Sequence, residues 1–562
     1  MHDPATMRYA GGPITGENTG AEWYATVFTL AESPRQAGVL WAGSDDGLVH
    51  VSRDGGKSWQ SVTPPGIGKF TRMSIIDPSP HDAGTAYLAA NRYQQDDFRP
   101  YLFKTTDYGR SWTRIVAGIP ADAYTRAIRE DPERRGLLFA GTERGIYVSF
   151  DDGARWQSLQ LNLPIVSVRD LAIKDDDLIV ATHGRSFWSL DGISPLRQLA
   201  DSVRRADAFL FAPARAVRTL AGQGSTNRSD YATAPNPPDG AVIDYYFRER
   251  PRGPVTLTIL DSAGREVRTF TSDTAKADSA AAPPDSARRD SLAAAATDVR
   301  RGRTVAAADT AAVRGDTLAP VADSVSYGPA DSIVPARRGG NRFIWRLRYP
   351  DVHLQKGILL DYGTARGPIA VPGTYTVRLT ADGRTLTRQF AVVADPRAKA
   401  TSAELEAQHR LLVQIAAQID TLSTAVERIE EIQRQLAERA KVTRRHAAGS
   451  HVDSAAKALT PKLEAVRAEL TEVHSHADQI SEHFPVRIYN QLLTLNDMVQ
   501  SADAAPTQGE LDSFRDLARQ TSRQLARLAE LERTDLAAFN AMMKQLDVLA
   551  VIVPAPGAKA TR

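Results

Sequence analysis

The stretch VSRDGGKSW, residues 51–59, decides how the N-terminal part of the chain is read. An aspartate on a glycine turn ahead of a tryptophan is either a reactive carboxylate on display or a device for reversing the chain. Two further copies settle the choice: TTDYGRSW at 105–112 and SFDDGARW at 149–156, so that all three fit S/T-x-D-x-G-x-x-W. Their aspartates, Asp54, Asp107 and Asp151, lie 53 and 44 residues apart, the span of a four-stranded unit rather than of a helical repeat. A reaction needs its carboxylate once, not once per repeat. The recurring positions Ser52, Asp54, Gly56 and Trp59, then Thr105, Asp107, Gly109 and Trp112, then Ser149, Asp151, Gly153 and Trp156 are therefore read as scaffold. Asp accepts backbone N–H groups, Gly supplies a positive φ, and Trp buries apolar area.

Outward from each copy the repetition continues. LWAGSDDGLVHVS (40–52) and LFAGTERGIYVS (138–149) match nearly position for position, AYLAANRYQQDDFRPYLFKT (86–105) is a longer-looped version, and LIVATHGRSFWSL (178–190) continues the series without the tryptophan loop. Further upstream in each unit lies a β-rich run: ATVFTLAESP, TRMSIIDPSP, TRAIREDPER and VRDLAIKDDD. Short alternating strands bounded by Gly, Asp and Pro read as antiparallel sheets. Four units over residues 22–195, after a loop at 1–21, predict blades of a β-propeller.

The repeated loops resemble the Asp-box, or bacterial neuraminidase repeat. More narrowly, ESPRQAGVLWAGSDDGLVHVSRDGGKSW, YLAANRYQQDDFRPYLFKTTDYGRSW and VATHGRSFWSLDGISPLRQL resemble a family of exported bacterial sortilin-like proteins, often labelled glycosyl hydrolase. The resemblance runs in order from residue 12 to about 550. It implies a larger propeller with blades N-terminal to those present, a first methionine internal to a longer protein, and a periplasmic or extracellular location. A genuinely small or open propeller is the alternative.

Strand direction places the candidate site. If strands A to D alternate, the tryptophan loops join C to D at one end of every blade and the B–C loops gather at the other. Those loops carry Asp45 and Asp46; Arg92, Asp96, Asp97 and Arg99; Glu143 and Arg144; His183 and Arg185. Mixed carboxylates, arginines and a histidine at a propeller mouth suit a protein, peptide or glycan ligand; a solvated loop face with local ion pairs is the plainer reading. Glycoside hydrolysis, sialidase-like or xyloglucanase-like, is the alternative function. It needs two carboxyl groups about 5 to 9.5 Å apart, one with a raised pKa, and no string of residues marks such a pair.

Beyond the blades, 196–239 reads as linker, and 240–395 as an immunoglobulin- or fibronectin-like β-sandwich whose hairpins turn at DSAG and ADGR. The Ala-, Asp-, Ser- and Arg-rich stretch 272–338 interrupts it as a disordered insertion. From 400 to 550 the apolar period becomes helical: Leu412, Ile415, Ile419, Leu422, Val426 and Ile429, then Leu459, Leu463, Val466, Leu470, Val473, Ala477, Ile480 and Phe484. TSAE (401–404) is a capping box, Gly449 marks the break between two antiparallel helices, and a helical bundle able to self-associate is expected before a tail at 551–562. His446, His451, His474, His476 and His483 fall in this region without the spacing of a metal-ligand pair, so no metal or cofactor is expected.

Composition excludes several classes. Lys plus Arg number 69 against 67 for Asp plus Glu, giving no field for nucleic acid. With no cysteine in 562 residues there is no disulfide, thiolate metal site or cysteine nucleophile. No apolar run reaches transmembrane length, and the first twenty residues have neither the basic nor the apolar region of a secretory signal.

Overall fold

The computed structural model describes residues 26–219, 239–273, 333–355, 363–446, 448–472 and 484–553. The chain divides into two compact units, Met1–Ala206 and Asp207–Arg562. It is β-rich, with several separate sheets followed by C-terminal helices.

In the first unit, each repeat forms one antiparallel sheet in chain order. The first holds β1 (Val27–Glu32), β2 (Leu40–Ser44), β3 (Val49–Ser52) and β4 (Gln60–Ser61); the second β5 (Arg72–Pro78), β6 (Ala86–Arg92), β7 (Asp97–Thr105) and β8 (Thr113–Arg114). The third holds β9 (Thr125–Glu130), β10 (Leu138–Thr142), β11 (Gly145–Ser149) and β12 (Gln157–Ser158); the fourth has three strands, β13 (Val168–Lys174), β14 (Asp177–Thr182) and β15 (Phe187–Leu190). The second strands LWAGS, AYLAANR and LFAGT are buried almost throughout, which is why they read as continuous small and apolar runs rather than alternating ones.

The sheets stack in sequence, and the small residues explain how. A Cβ on Gly43 would sit 2.7 Å from Met73 Cβ of the next sheet, and one on Gly141 would sit 2.7 Å from Val168 Cγ1. The Ala-Gly pair in the second strand thus lets the following sheet's first strand approach. Between the first two sheets Trp41, Val51, Met73 and Leu88 form one core; Tyr87, Leu102, Ile128 and Trp156 fill the next; Phe139, Val148, Leu171 and Val180 fill the third. Each such side chain contributes about 1.5–3 kcal/mol by burial. The outer face of β1 is bare by contrast: Val27, Phe28 and Leu30 are 52%, 48% and 66% exposed.

The S/T-x-D-x-G-x-x-W loops close on themselves and then reach backwards. Asp54 Oδ1 accepts from Ser58 N (2.9 Å) and from Ser52 Oγ (2.8 Å), and Asp107 and Asp151 accept from Ser111 N and Arg155 N at 2.9 Å each. The Ser58 hydroxyl and N–H hold the Asp54 carboxyl down to about 2. The tryptophans differ. Trp112 Nε1 donates to Val62 O of the preceding sheet and Trp156 Nε1 to Ile115 O, both at 2.7 Å, whereas Trp59 Nε1 donates to Gly56 O of its own loop at 3.2 Å and stays 40% exposed.

In the second unit, β16 (Ala208–Leu210), β18 (Ala241–Phe247) and β21 (Gly339–Trp345) form one sheet. β17 (Ala216–Arg218), β23 (Arg384–Ala394), β22 (Gly373–Ala381), β19 (Thr256–Leu260) and β20 (Glu266–Thr271) form another, in that order. One core spans both, with Ile243, Tyr245, Leu257, Phe343, Trp345 and Tyr375. The stretch expected as linker therefore contributes two paired strands, too short at three residues each to show a period. Most of the expected insertion, 274–332, lies outside the described residues. Its last residues are packed: Val334 is 1% exposed, its N–H donates to Thr271 O (3.0 Å), and Pro335 O accepts from Tyr245 OH (2.5 Å).

Helices at Ser402–Thr443, Gly449–Leu470, Ile488–Val499, Gln508–Leu531 and Ala537–Gln545 share a further core along the expected seams. Thr401 and Glu404 form the capping box, and Thr507 and Glu510 form a second. The first helix ends at Thr443 and Gly449 begins the second, where a Cβ would sit 2.3 Å from Thr443 O. His474, His476 and His483, and the expected seam beyond 472, lie outside the described residues apart from Phe484. Arg218, 1% exposed, ties sheet to helices through Gln408 Oε1 (2.6 Å) and Asp503 Oδ1 (2.8 Å). Among the described residues no helix is long and apolar enough to cross a membrane.

Candidate functional site

Antiparallel pairing puts the β2–β3, β6–β7, β10–β11 and β14–β15 loops beside the starts of the first strands. Asp45 N donates to Thr26 O, Glu143 N to Tyr124 O and His183 N to Ser167 O. The predicted face residues therefore share one end of their sheets, away from the tryptophan loops, but most are engaged locally. Asp45 and Asp46 are only 8% and 5% exposed. Asp45 Oδ1 accepts from Thr26 N (3.0 Å), and burial pushes its carboxyl up; Asp46 accepts from Ser44 Oγ. Arg92 Nη1 closes the connection into the second sheet through Ile67 O (2.9 Å), Lys69 O (3.1 Å) and Thr71 Oγ1 (2.8 Å). Asp96 adopts φ 58° after a short 3₁₀ turn at Tyr93–Gln95.

Asp97 is held by Arg99 Nε (2.9 Å) and Nη2 (2.8 Å) and by Tyr101 OH (2.7 Å); the Arg99 bonds keep its carboxyl far below the ordinary range. Burial pushes Glu143 up, but Ser167 Oγ (2.7 Å) and Arg126 Nε (2.6 Å) outweigh it and leave the carboxyl lowered. Arg144 pairs with Asp122, His183 Nδ1 lies 2.6 Å from Arg169 Nη2, and Arg185 is exposed.

What the sequence reading missed is the row behind these loops. Arg72, Arg126 and Arg169 stand near the start of the first strand in three successive sheets, and Phe28 holds the corresponding place in the first. The pairing skips Phe28 between Val27↔Ser44 and Thr29↔Gly43, Arg126 between Thr125↔Thr142 and Ala127↔Gly141, and Arg169 between Val168↔Thr182 and Asp170↔Ala181. Such a bulge re-aims a side chain out of the alternating pattern. In the second sheet Arg72 still pairs with Asn91 and the skip comes one step later.

Aromatic rings sit between the guanidiniums. Arg72 lies 4.6 Å from the Phe28 ring centroid and 5.8 Å from that of Tyr93; Arg126 lies 5.1 Å from Tyr93 and 4.8 Å from Tyr124. Tyr93 and Tyr124 stack at 5.3 Å, and Phe98, 46% exposed, adds a third ring 6.0 Å from Tyr124. Arg126 is 5% exposed and paired with Glu143. Arg72 and Arg169 differ: each Nε is buried without a hydrogen-bond partner, a state costing about 1–3 kcal/mol. The signal was present in TRMSII, TRAIRE and SVRDLA, but a lone strand arginine reads as solvated until the topology lines the three up.

Among the described residues no three His, Asp or Glu side chains are grouped as metal ligands. A groove of about 810 Å³ in the second unit is lined by Val486, Leu495, Met498 and Leu517, with none of the predicted face residues.

No family model matches this chain, and no curated protein matches it. Among solved structures it is similar to propeller proteins. YCF48 from Cyanidioschyzon merolae is 19% identical with a TM-score of 0.23, over 30% of this chain and 53% of that one. YCF48 bound to D1 peptide is 20% identical with a TM-score of 0.25, over 30% and 52%. The GH74 xyloglucanase from Xanthomonas campestris is 14% identical with a TM-score of 0.25, over 39% and 34%. The chain thus spans about half the length of the YCF48 chains and a third of the xyloglucanase.

Proposed function

We propose that this protein is a binding or scaffold protein of the Asp-box, sortilin-like kind, gripping a protein, peptide or glycan partner on the face opposite its tryptophan loops without chemistry. On this reading the four sheets are blades of an incomplete propeller, the strands from Ala208 to Ala394 a β-sandwich, and the helices after Ser402 a bundle. A periplasmic or extracellular setting follows from the family resemblance. One observation carries the reading: the face holds the half-buried Arg72 and Arg169 beside the exposed rings of Phe28 and Phe98, while Asp45, Asp46, Asp97 and Glu143 are engaged by internal partners.

The hydrolase alternative lacks its acid. A glycosidase needs one carboxyl group kept protonated beside one kept ionised, both open to substrate. Asp45 is the face carboxyl that burial raises, and the same burial closes it off. Asp97 and Glu143 are both lowered. The test is to pass the full chain over a glycan and peptide array, and to assay Asp46→Asn, Asp97→Asn and Glu143→Gln on aryl glycosides and xyloglucan. Array binding without turnover is expected. Turnover abolished by one of these variants, with binding kept, would establish the hydrolase instead.

A further inference from the structure

Resting on the binding reading, we propose that the row Arg72–Arg126–Arg169 recognises an acidic peptide segment of a partner protein, with carboxylates on separate residues meeting Arg72 and Arg169. Arginines near the start of the first strand in three successive sheets, two of them at the skipped position and Arg72 in register with Asn91, are more than a solvated face requires. The central one is already neutralised by Glu143, with Ser167 completing the acceptor. The outer two have no carboxylate within ion-pair distance among the described residues, although Asp45 feels the charge of Arg72. Each also holds a buried Nε–H without an acceptor, beside terminal nitrogens that form the rest of a planar fork. A carboxylate engaging that fork satisfies both the charge and the orphaned donor.

The geometry selects the ligand class. Two guanidiniums that meet only neutral acceptors, Tyr93 OH (3.4 Å) and Gln94 Oε1 (3.3 Å) for Arg72 and His183 Nδ1 (2.6 Å) for Arg169, flank a paired one and ask for acids spaced along a polymer, not for one small anion. An extended peptide carries acids along its length, with side chains on one side about 7 Å apart. A sugar chain would need free ring faces to stack upon. Here Tyr93 and Tyr124 are stacked on each other with 19° between their planes, and guanidiniums lie against the same rings. Phe28 and Phe98, about half exposed, instead offer apolar contacts to side chains between the acids.

The probe is a fluorescein-labelled decapeptide of alternating Glu and Phe, read by fluorescence anisotropy against its Gln counterpart and against polygalacturonate as competitor. The Glu peptide binds and the Gln peptide binds at least about tenfold more weakly. Arg72→Gln and Arg169→Gln each cost about tenfold to a hundredfold, as loss of a charge-assisted bond implies. Arg72→Lys falls between, because it keeps charge and loses the fork. Arg110→Gln, in an exposed tryptophan loop, changes nothing. Unchanged thermal midpoints confirm that the variants fold. Equal binding of both peptides, or full binding by Arg72→Gln and Arg169→Gln, overturns the carboxylate assignment while leaving a binding face in place. Binding of fluorescein-labelled polygalacturonate without any binding of the Glu peptide makes the ligand an acidic sugar and also overturns it. Silence across the whole array sinks the binding reading itself.

Discussion

Removing the loop tryptophans one at a time should expose a gradient of cost along the row of sheets. Trp156 is 3% exposed, packs with Tyr87, Leu102 and Ile128 across two sheets, and donates its indole N–H to Ile115 O at 2.7 Å. Trp156→Ala should lose about 3–5 kcal/mol from the cavity, with about 1–3 kcal/mol more where the Ile115 carbonyl goes unmet. Trp156→Phe keeps most of the area and should cost only the hydrogen bond, about 1–2 kcal/mol. Trp59 is 40% exposed and bonds within its own loop, so Trp59→Ala should cost about 1 kcal/mol or less. A chain of two units does not unfold in one step, so the assay is hydrogen exchange resolved by peptide. At about 1.4 kcal/mol per decade, Trp156→Ala should lower protection of β7 and of β10–β11 together by about three to six orders of magnitude. Exchange in the Ser402–Thr443 helix should be unchanged. Equal losses for Trp59→Ala and Trp156→Ala, or a loss confined to the mutated loop, would refute the idea that the tryptophan joins neighbouring sheets.

Asp77, between the second and third sheets, has its carboxyl pushed up to about 6 by burial, despite Arg129 and the Glu130 N–H. The folded state therefore keeps a proton that the unfolded chain releases near 3.8, and that contribution, of order 2–3 kcal/mol, is full below about pH 4 and lost by about pH 6. Asp77→Asn should flatten this part of the pH–stability curve of the first unit, measured by the same exchange method. Gly118, at φ +101°, would place a Cβ 2.2 Å from Trp156 O, so Gly118→Ala should cost the first unit several kcal/mol by the same exchange method; Gly55→Ala, with nothing within 4 Å, should cost about 1 kcal/mol. Arg218→Met leaves the buried Asp503 without its cation and should cost about 3–5 kcal/mol; the double variant Arg218→Met/Asp503→Leu should recover much of it, read as the thermal midpoint.

The repeat was legible because its signals are local: Asp, Gly and Trp at fixed offsets, small residues in the second strand, and Thr401 three residues before Glu404. What stayed hidden depends on residues far apart in the chain. The indole of Trp112 reaches a carbonyl 50 residues upstream, a choice no window of sequence displays. Ala208–Leu210 and Ala216–Arg218 are too short for periodicity and become strands because longer neighbours offer open edges. Val334 sits next to a polar, low-complexity tract that masked its burial. The candidate face was located from strand direction alone, yet Asp45, Asp46, Asp97 and Glu143 are absorbed locally. The arginines behind them come from separate repeats, and a side chain contributed once per repeat acquires meaning only when stacking brings the copies together.

The backward reach of the Trp112 and Trp156 indoles makes the joints between sheets both directional and interchangeable. Both plugs enter a socket carbonyl at an equivalent spot, Val62 for Trp112 and Ile115 for Trp156. A whole repeat could be spliced out or duplicated at that seam without redesigning either side. An ancestral gene could lengthen or shorten such a row by unequal crossing-over, and a protein engineer could do the same on purpose.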